Sequence, residues 1–370
     1  MFLKKKCAHF AIRMACRFDS ISLLKMSIVF GIDFKAKDEL DWTYLHFAAK
    51  YGALKIAKLL IENGNCVNSL TVMSNGDEKG WSPLNVAVTN ANKDVVKLLI
   101  KHGAYIDRAD GYTCRWSPLN LAITKGFCEI IVILLEQGAS PNQIDGNGWS
   151  PLHLSVYNHT DKITSILIEH GASLNTSDNT GWSPLTSAIE KGYFDTTTLL
   201  VEKGASVDTM DEDGWTPLLM AISKGNYEIV EYLVRNSVNV NLGMSTGWLP
   251  LYYAIFKNQR TITELLIMNG ANIDIFHSSG KSPMSLASEK GNQDIVELLI
   301  ENGADIDALD KNKKNALHYA IMGNHVKTIT TLLLCHASLI VKNGQGETPI
   351  EFALKKKSLA SLKSCLGYKY

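Results

Sequence analysis

Prolines recur along this chain with a fixed stride. Pro83, Pro118, Pro151, Pro184, Pro217, Pro250 and Pro283 are separated by 35 residues once and then by 33 residues five times. A further 33 residues lead to Ala316 and another 33 to Pro349. Upstream, DWTYLHFAAKYG repeats the surrounding pattern with Tyr44 in the proline slot, 39 residues before Pro83. The six surplus residues fall in SLTVMSNGDEKG, and the two ahead of Pro118 fall in GYTCRW. Both insertions lie between units and leave the units intact. A period of this size is the mark of a chain that stacks copies of one small supersecondary unit.

Each copy carries its own helix punctuation. Ser or Thr before Pro-Leu (Ser82-Pro83, Ser150-Pro151, Thr216-Pro217) places an N-cap ahead of a proline at the first helical position, where its missing N–H costs nothing. The apolar segment PLNLAITKG then stops at Gly126, which suits a left-handed C-terminal cap. A second helix opens with an acid in its first turn (Asp94, Glu129, Asp195, Glu228, Asp294), which favours the positive end of the helix dipole. It carries a Leu-Leu or Ile-Leu pair and ends in Gly-Ala, as in VKLLIKHGA and VELLIENGA. Helices of roughly eight to ten residues are marginal alone in water, and only a neighbouring unit can cover their apolar sides. The pattern predicts an all-α solenoid of stacked helix-turn-helix units.

The motif resembles the ankyrin repeat: Gly-x-Ser/Thr-Pro-Leu-His/Asn-x-Ala, a Gly, then Leu-Leu-x-x-Gly-Ala-x-x-Asn/Asp, reading here as GWSPLHLSV…LIEHGASLN at 148–175. The resemblance implies hairpin-like finger loops between units. It covers residues 40–342 as nine units beginning near 40, 79, 114, 147, 180, 213, 246, 279 and 312. Residues 1–39 read as a decayed N-terminal capping copy, with Met14, Leu23, Leu24 and Ile28 expected to bury against the first unit. Residues 343–370, which contain the shortened copy GETPIEFALKKKSLASLKSCL, read as a C-terminal cap. The family's motif histidine, which helps tie one turn to the next, survives only as His46, His153 and His318. Asn85, Asn120, Thr186, Leu219, Tyr252 and Ser285 replace it, so weaker junctions are expected there. Leu249 and Asn315 replace the Ser/Thr cap, a loss typically of ~1 kcal/mol, which marks units seven and nine for local loosening.

All seven tryptophans occupy one slot, two residues ahead of the proline position: Trp42, Trp81, Trp116, Trp149, Trp182, Trp215 and Trp248. By resemblance that slot lies where the finger meets the concave groove. Two readings stand side by side: a packed residue copied by duplication, or a binding surface, since Trp is enriched among interface hot spots. A second ladder, Lys125, Lys191, Lys224, Lys257 and Lys290, ends the first helix, with Asn158 the exception. Lysine complements the helix C-terminus there, and beside the indoles it also makes a groove suited to an acidic, partly apolar peptide. The expected function is protein–protein recognition. Trp149, Trp182, Trp215 and Trp248 are its central contacts, flanked by Lys191, Lys224 and Lys257, with Trp81, Trp116 and Lys125 in the same surface.

Other classes find little support. Lys plus Arg (37) balances Asp plus Glu (37), and Asp178, Asp211, Glu212 and Asp213 at the finger tips repel phosphate, so nucleic acid is not expected. Seven scattered cysteines without a C-x-x-C pair read as reduced thiols of a cytoplasmic, or alternatively nuclear, protein. The opening MFLKKKCAHFAIRMACRF faintly resembles a secretory leader, but His9 and Arg13 interrupt its apolar run. No stretch is long and apolar enough to span a bilayer, Lys25 breaking the best candidate. The ten histidines fit no metal-ligand spacing, and no nucleotide-binding, nucleophile-elbow or zinc-protease motif occurs. The chain is therefore read as a monomeric, non-enzymatic scaffold without cofactor or metal. The alternatives are a substrate-recruiting subunit of an enzyme complex, a membrane-cytoskeleton anchor and an effector delivered into a host cell.

Overall fold

The computed structural model describes residues 2–29, 33–38, 40–71, 80–109, 115–244 and 247–355, the side chains of 2–9, 28 and 29 excepted. Most of the first insertion (72–79), four residues of the second (111–114) and the lysine-rich end (356–370) lie outside the described residues. Two compact units are present, Met1–Ser187 and Ala188–Tyr370. Among the described residues there are 21 helices and no strand, only an isolated bridge joining Lys37 to Thr43.

The first unit opens with α1 (Phe2–Phe18) and α2 (Ile21–Val29). Helix pairs follow: α3 (Tyr44–Tyr51) with α4 (Leu54–Glu62), α5 (Pro83–Thr89) with α6 (Lys93–Lys101), α7 (Pro118–Lys125) with α8 (Cys128–Glu136), and α9 (Pro151–Tyr157) with α10 (Asp161–Glu169). Helix α11 (Pro184–Lys191) contributes residues to both units. In the second unit lie α12 (Phe194–Glu202), then α13 (Pro217–Lys224) with α14 (Tyr227–Arg235), α15 (Pro250–Phe256) with α16 (Arg260–Met268), α17 (Pro283–Lys290) with α18 (Gln293–Glu301), α19 (Ala316–Met322) with α20 (Val326–Leu334), and α21 (Pro349–Lys355). Within each unit the first helices of successive pairs pack in one layer and the second helices in another, as α3, α5, α7 and α9 do over α4, α6, α8 and α10.

Burial follows the repeat. Leu45, Leu84, Leu119 and Leu152 of the first helices and Leu60, Leu99, Leu134 and Leu167 of the second are fully buried. Each such side chain contributes about 1.5–3 kcal/mol only because a neighbouring pair closes over it. The first pair departs from expectation. Leu24 is fully buried, but Met14 and Leu23 are half-buried and Ile28 lies outside the described side chains. Ile12, Ala15 and Cys16 take their place, because the 17-residue α1 turns that stripe toward α3.

Polar ties join neighbouring pairs. Asn68, Asn142 and Asn241 each accept the N–H of a residue one repeat on (Tyr105, Ser173, Asn272) and donate to Gly103, Gly171 and Gly270 carbonyls at 2.9–3.1 Å. The N-caps form as the dipeptides require: the side chains of Ser82, Ser117, Ser150, Thr216 and Ser282 accept the N–H three residues on. Leu249 gives α15 no such bond. Asn315 does give α19 one, accepting the His318 N–H at 3.2 Å, so the loosening expected in the ninth unit loses its basis. Asparagine caps as well as serine does.

The residue eight places beyond the proline slot, which follows the first helix directly or after one further residue, is left-handed whatever its identity. Gly52, Gly126, Gly192, Gly225 and Gly291 have φ between 70° and 74°, whereas Ala91, His159, Asn258 and Asn324 are held at 51–58°. A side chain in that conformation costs roughly 1–2 kcal/mol. A Cβ on Gly126 would meet nothing within 4 Å, so backbone strain alone decides the effect there. Ala91→Gly is expected to raise the urea midpoint by about 1 kcal/mol of stability and Gly126→Ala to lower it by a similar amount. Equilibrium unfolding followed by circular dichroism checks both.

Candidate functional site

Each finger is a turn closed by the slot residue. The Asp145, Asp178 and Asp211 N–H groups donate to the Trp149, Trp182 and Trp215 carbonyls at 2.9–3.2 Å, while the same aspartates' carboxylates accept the three tryptophan N–H groups at 2.8–3.0 Å. Ring contacts place Trp42, Trp149, Trp215 and Trp248 against side chains of first helices. All seven tryptophans are half-buried.

The motif histidines bind the same carbonyls from the preceding repeat. The Thr43 and Ser150 N–H groups donate to Nδ1 of His46 and His153, so Nε2 carries the proton. From Nε2, His46 donates to the Trp81 carbonyl and His153 to the Trp182 carbonyl, both at 3.0 Å. His318 Nε2 meets the Glu347 carbonyl at 3.2 Å. Burial holds His46 down to about 4 and His153 below the ordinary imidazole value, against the pull of those carbonyls. Where asparagine replaces the histidine at position 120, both amide atoms are buried without a hydrogen-bond partner.

In the first unit, Trp42 packs 5.1 Å from Phe47 with the Lys50 ammonium 5.7 Å from its ring, Trp116 Nε1 donates to Asp145 at 3.2 Å, and Trp149 lies 5.0 Å from Tyr157. Trp81 and Trp182 are half-buried on the same face. Lys125 is exposed and makes no ion pair among the described residues.

The second unit holds the densest cluster. Trp248 meets Tyr252, Tyr253, Phe256 and His277 with ring centroids 5.0–5.6 Å apart, and Trp215 reaches Tyr253 at 5.7 Å. His277 stacks on Tyr252 at 4.9 Å and 11°, and burial together with Lys281 lowers its pKa. Burial also pushes Tyr252 up to about 12, which keeps its hydroxyl protonated. Gly247, at φ 90°, lets the two fingers touch, since a Cβ there would sit 2.8 Å from the His277 Cα. Lys257 lies 5.7 Å from the Tyr253 ring and Lys290 4.4 Å from that of Phe256. Lys191 and Lys224 instead converge on Glu190, at 3.5 and 2.9 Å. The lysine ladder is thus of mixed character: two members, themselves exposed, pair with the half-buried Glu190 carboxylate, a surface contact worth little in water, and two lie over aromatic rings.

Sequence reasoning missed Tyr252, Tyr253, Phe256 and His277, although PLYYAIF carries three of them in one helix. His277 stands where other fingers carry Asp178, Asp211 or Asp310. Among the described residues no group of His, Cys, Asp and Glu side chains is arranged to hold a metal ion, and no helix is long and apolar enough to cross a membrane. On the opposite, second-helix face, Tyr227, Thr261, Glu264, Leu265 and Met268 line a cavity of about 280 Å³.

A family model described as ankyrin repeats (3 copies) matches residues 12–110, 119–211, 199–277, 266–343 and 284–366. Human transient receptor potential cation channel subfamily A member 1 is 29% identical over 100 residues, 27% of this chain and 9% of that protein. The 26S proteasome non-ATPase regulatory subunit 10 of Dictyostelium discoideum is 35% identical over 74 residues, 20% of this chain and 30% of that protein. The matched stretches thus span less than a third of either relative.

Two measurements test the histidine ties. Between about pH 6.5 and about 4 the unfolded chain takes up a proton at His46 that the folded chain refuses, so acid favours unfolding in that window and the stabilisation is complete only above it. The urea midpoint of the wild type should fall between about pH 7 and about pH 5, and fall less in His46→Asn. Asn120→His, which offers a donor to the Trp149 carbonyl, should raise the midpoint at neutral pH by about 1 kcal/mol or more of stability.

Proposed function

Since the chain belongs to the ankyrin-repeat family, we propose that it is a non-enzymatic interaction module whose first-helix face grips an extended segment of a partner protein, acidic and partly apolar. The observation that carries this reading is the cluster around Trp248. The half-buried Trp248 indole lies among Tyr253 and Phe256, and the Lys257 and Lys290 ammonium groups stand over these neighbouring rings. Aromatic anchors flanked by cations favour apolar side chains next to carboxylates. A partner covering ~100 Å² on each of three such rings gains about 7 kcal/mol from transfer, before several kcal/mol of association cost. Within the second unit Trp215, Lys191 and Lys224 belong to the same proposed surface, and within the first unit Trp81, Trp116, Trp149 and Trp182 with Lys125 mark a proposed surface of the same kind.

A pull-down with the wild-type chain beside Trp248→Ala/Lys257→Gln/Lys290→Gln tests this reading. The expected result is a partner retained by the wild type and lost roughly tenfold or more by the variant, with the helical signal unchanged. An identical set of captured proteins for both chains overturns it.

A further inference from the structure

Helix α1 has two apolar sides. Ile12, Ala15 and Cys16 are fully buried toward the first repeat. On the other side Phe10 is 65% and Phe18 62% exposed, Met14 lies half-buried between them, and Met26 of α2 is 60% exposed. In sequence, Leu3 and Cys7 carry the same spacing of four and three residues back toward the start of the helix. Among the described residues, Phe10 and Phe18 are left largely uncovered.

Its charge is of one sign. The helix contains Lys4, Lys5, Lys6, Arg13 and Arg17 and no acid. Arg13 is spent, paired to Asp38 at 2.9 Å and lying 4.4 Å from the Phe47 ring. Arg17 and Lys25 are exposed and make no ion pair among the described residues. Asp19, the acid that follows α1, is turned away to accept the Lys55 and Ile56 N–H groups at the start of α4. A second copy of the chain would bring like charges together on this stripe. A surface that is anionic outside and apolar just beneath suits both of its features.

We propose that α1, whose sequence carries three lysines and no acid, docks the chain on an anionic lipid membrane, lying in the interfacial plane with Phe10 and Phe18 below the headgroups. Seventeen residues extend about 25 Å along that plane. This is surface attachment, not spanning. Lysine clusters on amphipathic helices draw anionic lipid by charge, and the aromatic side chains add the apolar contact.

Sedimentation of the full chain with vesicles of phosphatidylcholine containing phosphatidylserine, against phosphatidylcholine alone, tests the proposal. The wild type should pellet with the anionic vesicles, remain in solution with the neutral ones, and be released by high salt. Phe10→Ser/Phe18→Ser should lower the bound fraction about tenfold or more while circular dichroism is unchanged, both side chains being exposed. Lys4→Gln/Lys5→Gln/Lys6→Gln should also weaken binding. Failure of the wild type to pellet with anionic vesicles overturns the proposal, as does undiminished binding by the phenylalanine variant. A wild-type dimer that the phenylalanine variant converts to monomer would assign the stripe to a second copy and equally overturn it.

Discussion

Structure in each repeat converges on one main-chain carbonyl, that of the residue two places before the proline. At Trp182 it accepts the Asp178 N–H at 2.9 Å, which closes its own finger, and the His153 imidazole at 3.0 Å, which binds it to the repeat before. A carbonyl has two lone pairs, and here both are used. Because this node is backbone, it tolerates a change of side chain. Lys281, Lys314 and Glu347 occupy the slot after Trp248, and their carbonyls accept the His277, Asp310 and Asn343 N–H groups in the same way. The scaffold thus leaves the side chain free to vary, the condition for a surface that can be adapted to a partner.

What varies is constrained by a neighbour eight residues on, at the end of the first helix. Trp42 has Lys50 near its ring, Trp149 faces Tyr157 and Trp248 faces Phe256. Lys281 pairs with Glu289 and Glu347 with Lys355, both at 2.6 Å. Aromatic contact, cation over ring and ion pair are three chemistries for the same short bridge from finger to helix. Lys191 and Lys224 look alike in sequence to Lys257 and Lys290, yet they meet a carboxylate because position 190 is Glu while 256 is Phe. A single ladder position therefore carries different work in different repeats.

The helices were legible in the sequence because their signals are local. Ser-Pro starts, glycine stops and a leucine pair act within one turn, and the 33-residue stride repeats them until chance is excluded. The terminal pair was harder to read. Without a proline or a glycine stop, α1 could not be assigned a rotation, and its buried stripe is Ile12, Ala15 and Cys16 rather than Met14. The Trp248 cluster eluded reading for another reason. Its members come from a finger, a helix and the next finger, and only stacking at the repeat distance brings positions 248, 252 and 277 together.

The histidine tie is present at some junctions and missing at others. At Leu219 an apolar side chain stands in its place, at Ser285 the hydroxyl is taken up by its own cap, Ser282, and at Asn120 the amide points at nothing. A directed hydrogen bond resists sliding in every direction, whereas apolar contact resists separation far more than it resists shear. Under load, the tied junctions act as stiff plates and the untied ones as compliant joints. The order of histidine and its replacements along the sequence is therefore also a written distribution of elasticity.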